Sequence, residues 1–513
     1  MKPIRLMSGF FTVGIWTLLS RVLGFLREVL LLSLIGPGPV MDAFVAAFRL
    51  PNMFRRFFAE GAFNAAFVPM FAKKLEGEEG AGRFARDAFN GLGMVVLILT
   101  GLGMVFMPAL VWATAEGFVG DARFDMTVGF GRIVFPYILC MSLSALFSGI
   151  LNATGRFAVA AAAPVLLNIF VITAMAIGAL TGGVVVNWLI WSIPVAGLAQ
   201  LFLTWRAAAA AGFALRPGRP RWTPEMRSMI VIALPAALAS GVMQINLVVG
   251  QLVASQYDSA VSWLFAADRL YQLPLGVVGI AVGVVLLPDL SRRLRAGDDA
   301  GARGALSRAA EISLALTIPS AVALVVVPLA LVTVLFQRGA SDVDDSAAIA
   351  TAVTIYGLGL PAFVLQKILQ PIYFAREDTR RPFYFAVVAM VVNAALAIGL
   401  APVVGWISPA IAATLAGWVM FACLAIGARG YGEAAQFDAR FHKRIWRVLA
   451  ASAAMGLCLW AANVAFQPFF GIPWWRGLTL VVLIAVGAVS YFGIGHLIGA
   501  FRLSEFKRAV RRG

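Results

Sequence analysis

Arg49, Arg55, Arg56 and Glu60 lie in the stretch Ala47-Ala-Phe-Arg-Leu-Pro-Asn-Met-Phe-Arg-Arg-Phe-Phe-Ala-Glu-Gly-Ala-Phe63, inside a run from about 40 to 71 that is otherwise apolar enough to cross a bilayer. An arginine at the centre of a membrane helix costs about 2.5–3.5 kcal/mol on insertion scales, so three in one span require a wet or polar interior. At 3.6 residues per turn Arg49, Arg56 and Glu60 share one side of a helix, with Arg55 about 100° round from Arg56. Pro51 removes a backbone donor just before the cluster and is expected to bend the helix there. Buried charge recurs as Arg21, Arg27 and Glu28 in Ser20-Arg-Val-Leu-Gly-Phe-Leu-Arg-Glu28, as Asp268 and Arg269 in Phe265-Ala-Ala-Asp-Arg-Leu270, and as Lys367. Arg21 and Glu28, seven apart, share a helix face.

Arginine is always protonated and presents a planar fork of donors that suits phosphate oxygens, so the chemistry indicated is capture of an anion, a phosphate or pyrophosphate. The plainer role for the same arginines is to snorkel to an interface or to pin helices together by pairing with acids. Glu28, Glu60 and Asp268 each stand beside an arginine, which favours such pairing over proton carriage. Asp42, near the outer end of its span, reads as a solvated turn carboxylate or as a functional acid. Bond-breaking chemistry is not indicated. His442 and His496 are the only histidines and neither stands in a carboxylate arrangement that suggests catalysis, while Cys140, Cys423 and Cys458 fall in apolar runs without metal spacing.

The elements that position these residues are membrane helices. The chain has 513 residues, 61% hydrophobic and 13% charged, with mean hydropathy +0.89, the composition of a polytopic helical membrane protein. A net charge of +16 would suggest nucleic acid in a soluble chain; here it reports topology, and no nucleic-acid partner is expected. Fourteen spans are expected, from 7–35, 40–71, 88–112 and 127–152 through 228–254, 259–288 and 307–335 to 445–466 and 476–500. The first follows Lys2 and Arg5 and is too long and too charged for a cleaved signal peptide. Connections after even-numbered spans carry Lys73, Lys74, Arg83 and Arg86, then Arg156, Arg216 to Arg227, Arg292 to Arg303, Arg376 to Arg381, and Arg429 to Arg444; those after odd-numbered spans carry only Arg123, Arg338 and, at a helix edge, Arg476. Positive charge stays on the cytoplasmic side, so both termini are expected there.

An internal repeat organises the spans. A shift of 225 positions lays Pro136 on Pro361, Arg156 on Arg381 and Asn168 on Asn393; a shift of 219 lays Val68-Pro69 on Leu287-Pro288. Duplication of a six-helix unit gives parallel repeats related by an axis along the membrane normal. The expected fold is therefore an all-α integral membrane protein of 14 transmembrane helices: a lobe over 1–215, a pseudo-two-fold related lobe over 216–428, and two further helices with a basic tail over 429–513. The expected site is the cavity between the lobes.

The motifs beginning at Ser20 and Leu50, with Asp42-Ala-Phe44, Phe67-Val-Pro69, Phe135-Pro-Tyr-Ile138, Gly149-Ile-Leu-Asn152 and Ala267-Asp-Arg-Leu270, resemble the MurJ (MviN) lipid II flippases of the multidrug/oligosaccharidyl-lipid/polysaccharide exporter superfamily, essentially from end to end. The resemblance implies a bacterial inner-membrane transporter, with no enzymatic step, that carries lipid II to the periplasmic leaflet for cell wall biosynthesis and works as a monomer among membrane lipids. It implies that Arg21, Arg27, Arg55 and Arg269 hold the pyrophosphate and sugar headgroup, that Asp42 supports an outer gate and Glu60 the span-two motif, and that the last two helices form a groove for the lipid tail. Arg49 stands where other members often have lysine; Arg56, Glu28 and Asp268 are assigned supporting roles. Some members use sodium through carboxylates in spans seven and eleven, where this chain has the neutral Gln244, Asn246, Gln251 and Asn393. No cofactor or metal is expected, and either membrane potential or a coupling ion could drive the cycle. The alternatives are an exporter of another lipid-linked oligosaccharide or of drugs; cationic drugs would want an apolar or acidic cavity, which the arginine excess disfavours.

Overall fold

The computed structural model describes residues 6–55, 62–77, 80–281 and 286–500, with no strand among them. Two compact units divide at Ser262/Trp263. The first contains α1 (Leu6–Leu34), α2 (Pro39–Arg55), α3 (Ala62–Glu76), α4 (Ala81–Val105), α5 (Met107–Thr114), α6 (Ala122–Val134), α7 (Tyr137–Ala153), α8 (Phe157–Leu180), α9 (Val185–Ala210) and α10 (Pro224–Ser255), and it ends in the first turn of α11 (Ala260–Ala281). The second holds the rest of α11, α12 (Leu287–Arg295), α13 (Asp299–Val326), α14 (Pro328–Leu335), α15 (Val343–Phe374), α16 (Arg380–Val404), α17 (Ser408–Ala428), α18 (Ala439–Phe466) and α19 (Pro473–Leu497).

Among the described residues nine helical stretches are long and apolar enough to cross a membrane, and one of them, 380–431, contains both α16 and α17. All fall on expected spans, so the protein is a multi-pass helical membrane protein. Where proline enters, the helices respond differently. Pro108 follows the first residue of α5 and Pro328 opens α14, and each stands where its expected span breaks into a long and a short helix. A proline is tolerated in the first turn because its missing N–H would have had no helical partner there. Pro136 likewise separates α6 from α7, whereas its counterpart Pro361 lies within the continuous α15. Helix α2 continues through Pro51 to Arg55, and Asn52 Nδ2 donates to Phe48 O at 2.9 Å in that turn.

Each unit has its own core. In the first, Phe63, Phe67, Phe71 and Phe84 form a run of stacked rings with centroids 5.1, 5.4 and 5.6 Å apart, backed by Phe135, Leu146 and Phe147. Offset aromatic pairs add about 0.5–1.5 kcal/mol each beyond their burial. In the second, Leu306, Leu314, Ile368, Tyr373 and Leu424 pack together, and Tyr373 OH donates to Leu424 O at 2.6 Å. Small residues let backbones approach, as membrane helices require. At Gly117 an added Cβ would lie 2.4 Å from the Ser255 carbonyl carbon and 2.5 Å from Gln256 N, while Gly117 N donates to Ser255 Oγ at 3.1 Å. Gly117→Val is therefore expected to destabilise the first unit by about 1–3 kcal/mol, read as a lowered midpoint of thermal unfolding in detergent. Gly399→Ala, whose Cβ meets nothing within 4 Å, is the control expected to leave the midpoint near wild type.

Candidate functional site

A cavity of about 460 Å³ lies within the first unit, walled by α1, α2, α7, α8 and α9. Among the described residues Arg27 and Arg55 are its charged lining residues; Asn52, Ser144, Ser148 and Asn168 add neutral polar groups, and the rest of the lining is mostly apolar. Tyr137 and Gln200 line it too, but Tyr137 OH donates to Gln200 Oε1 at 3.3 Å and Gln200 Nε2 donates to Ala163 O at 2.8 Å, so both are committed to holding α7, α8 and α9 together.

Arg27 is fixed from two directions. Its Nη2 donates to Glu28 Oε1 at 2.5 Å, and its Nη1 donates to Asn168 Oδ1 at 3.0 Å. Asn168 Nδ2 in turn donates to Ser20 O at 3.0 Å, so one amide ties α8 to α1 at two levels and aims the guanidinium. The arrangement is a preorganised cation with part of its donor fork already engaged, suited to holding an oxyanion.

The structure brings together only some of the expected residues. Arg27 and Arg55 share the cavity, and Glu28, 3% exposed, backs Arg27. Arg21 is exposed and does not line it, although it lies on the Glu28 face of α1: one helix face is covered at one level and open two turns away. Arg49 is half-buried in α2 outside the lining. In the second unit Arg269 lies over the Phe265 ring at 4.5 Å, and Asp268 accepts from Gln272 Nε2. Arg56 and Glu60 fall outside the described residues. Asn168 was visible in sequence only as an anchor of the repeat; its contact to Arg27 spans 141 positions, and no local signal announces it.

Asp42 is not the solvated turn carboxylate that its position in the span allowed. It is 0% exposed, with Oδ1 accepting from Ser262 N at 2.9 Å and Oδ2 3.6 Å from Arg123 Nη1. Arg123, 5% exposed, also pairs with Asp121 and with Asp258 at 3.1 Å, and stacks 4.7 Å from the Phe118 ring. One guanidinium thus gathers the first turn of α2 with the α5–α6 and α10–α11 connections. Its bond to Asp121 holds that carboxyl below its ordinary value, so the stabilisation it brings is complete above the usual carboxylate range and is lost as pH falls through the lowered value. Among the described residues no group of three or more His, Cys, Asp or Glu side chains is placed to hold a metal ion.

The fold is one shared with solved membrane transporters. It matches a structure described as "Lipid II flippase MurJ, inward closed conformation" with TM-score 0.80 and 23% identity over 95% of this chain and 98% of that one. A multidrug resistance MATE family transporter of the MOP superfamily matches with TM-score 0.65 and 15% identity over 80% and 94%. The family profile described as "Lipid II flippase MurJ" covers residues 31–479. A Rhizobium meliloti protein named "Probable lipid II flippase MurJ" is 45% identical over 99% of this chain and 97% of its own length, and the "Lipid II flippase MurJ" of Burkholderia cenocepacia is 32% identical over 99% and 100%. The chain belongs to the MurJ lipid II flippase family.

Two outcomes test this geometry. Asn168→Leu removes both amide bonds and is expected to weaken anion capture by Arg27 at least about fivefold, measured as affinity for a pyrophosphate lipid, with Asn168→Gln retaining part of it. Arg123→Gln leaves Asp42 buried without its cation and is expected to destabilise the first unit by about 3–5 kcal/mol, measured by thermal unfolding.

Proposed function

We propose that the protein moves lipid II from the cytoplasmic to the periplasmic leaflet of the bacterial inner membrane by alternating access. Full-length relationship to the flippases carries the substrate class, and the Arg27–Arg55 cavity with its neutral polar groups carries the chemistry. In this reading the pyrophosphate meets Arg27 and Arg55 while the polyprenyl tail stays in lipid, and Arg21 and Arg269 engage the headgroup in the course of transport. An unpaired diphosphate could not be desolvated at acceptable cost; charge-assisted bonds to guanidinium offset that penalty. No bond is broken and no cofactor takes part. Release requires that affinity differ between the two access states, and membrane potential, worth about 2.3 kcal/mol per charge per 100 mV, or an ion could bias the return.

The same proposal includes fourteen crossings with both termini in the cytoplasm, two six-helix lobes over 1–215 and 216–428 related by an axis along the membrane normal, the final two helices over 429–513 beside the lipid tail, and action as a monomer. Asp42 and Arg123 are assigned to holding the outer end closed, with Glu28, Arg49, Arg56, Glu60 and Asp268 in support. A drug exporter is not favoured, because the described lining of the cavity offers a cationic drug guanidinium groups, with no carboxylate among the described residues.

The test is exposure of lipid II on the outer leaflet, scored with an added toxin that cleaves only exposed lipid II, in cells whose sole flippase is this protein. Arg27→Ala, Arg55→Ala and Arg269→Ala are each expected to reduce exposure at least about tenfold at unchanged protein level and lipid II synthesis. Unchanged exposure in all three would return these arginines to structural pairing, and exposure that survives depletion of the whole protein would overturn the function.

A further inference from the structure

A second charged cleft, of about 380 Å³, lies within the second unit between α13, α18 and α19. Two helix stripes build it. On α13, Arg308, Ile312 and Leu316 recur every four residues; on α18, Arg440, Arg444 and Val448 do the same, so each stripe is basic at its start and apolar further on. Phe492 of α19 closes the apolar end. Ile312, Leu316 and Phe492 are exposed, as are Trp446 and Ile498 nearby in the chain, so the cleft opens on an apolar surface.

At the basic end three guanidiniums converge on one buried carboxylate. Arg444 Nη1 donates to Glu311 Oε2 at 3.0 Å, and Arg440 Nε and Arg308 Nε stand 3.6 and 3.8 Å from the same oxygen. Arg308 also pairs with Asp438, whose other oxygen accepts from Phe441 N at 2.7 Å and so caps α18. Among the described residues three cations face two acids, and each acid has an oxygen engaged by arginine, while Glu311 Oε1 makes no hydrogen bond. Arg308 Nε is buried and makes no hydrogen bond within the protein. The side chains of Arg308 and Arg440 are 37% and 45% exposed at the mouth of the cleft, so its outward field is positive although Glu311 lies beneath.

We propose that this cleft binds an anionic glycerophospholipid of the cytoplasmic leaflet, its phosphodiester on Arg308 and Arg440 and one acyl chain along Ile312, Leu316 and Phe492. The loop charges that orient the chain put these three helix ends at the cytoplasmic surface, where basic pockets between membrane helices take anionic headgroups. The ligand is a resident lipid and not the transported one. The site does not depend on the transport reading, and it differs from the tail groove which the family resemblance implies in requiring a phosphodiester.

The experiment is native mass spectrometry of the full chain in neutral detergent, titrated with phosphatidylglycerol, with phosphatidylcholine of the same acyl chains, and with soluble glycerophosphate. Phosphatidylglycerol is expected to bind at least about fivefold more tightly than phosphatidylcholine, and Arg308→Gln with Arg440→Gln to remove that preference. Because the double variant also loosens the Glu311 and Asp438 pairs, Ile312→Trp is included: it fills the apolar end, leaves the ion network intact, and is expected to weaken phosphatidylglycerol by a similar factor. Equal binding of the two lipids, a preference that survives the double arginine variant, phosphatidylglycerol binding left unchanged by Ile312→Trp, or glycerophosphate binding as tightly as the lipid would each overturn the proposal. So would displacement of phosphatidylglycerol by an uncharged polyprenol, which would make the cleft a tail site.

Discussion

A guanidinium placed among membrane helices must be given partners before the chain can fold around it, and that requirement governs each polar cluster of this protein. Leaving a buried charge without its counterpart is expected to cost about 3–5 kcal/mol, a large part of the stability of any domain. Three solutions occur. Arg27 has a neighbouring carboxylate and a distant amide, Arg123 has three aspartates and an aromatic face, and Glu311 inverts the ratio with three arginines on one acid. The ratio of cations to acids differs among them: acid-rich around Arg123, where connections are locked, and acid-poor around Glu311.

Neutrality of the cavity wall matters as much as its charge. Asn52, Ser144 and Asn168 already make bonds within the protein, to Phe48, Thr204, and Arg27 and Ser20, so their remaining capacity, with Ser148, is what could meet sugar hydroxyls and amides without adding to the charge that holds an anion. A wall of further arginines would bind tighter and release more slowly. A carrier has to do both, and weak polar contacts beside two cations are a physical compromise between them.

Much of the fold was legible because membrane constraints act locally. Apolar length marked the helices, but it did not convey that two spans break at Pro108 and Pro328. Pro361 shows the limit of that reading, since it matches Pro136 in the repeat yet its helix runs on. The candidate site was legible only as residue types. That Arg27 and Arg55 share a cavity while Arg21 lies exposed follows from how α1 packs on α8, and periodicity along α1 cannot convey it. Burial of Asp42 likewise depends on Arg123 and Ser262, 81 and 220 positions away, so its position near a span end suggested solvent where the structure has a closed ion pair.

The bond from Ser262 N to Asp42 Oδ1 also makes α2 the keeper of another helix's beginning. The first turn of α11 has amide hydrogens with no carbonyl to receive them, and here the capping oxygen comes from across the fold instead of from the residue preceding the helix. A borrowed cap makes helix integrity conditional on distance: drawing α2 away would bare that amide and fray the turn at about 1 kcal/mol. Separation at this end would therefore begin as a loosening of backbone before any helix moved as a rigid rod.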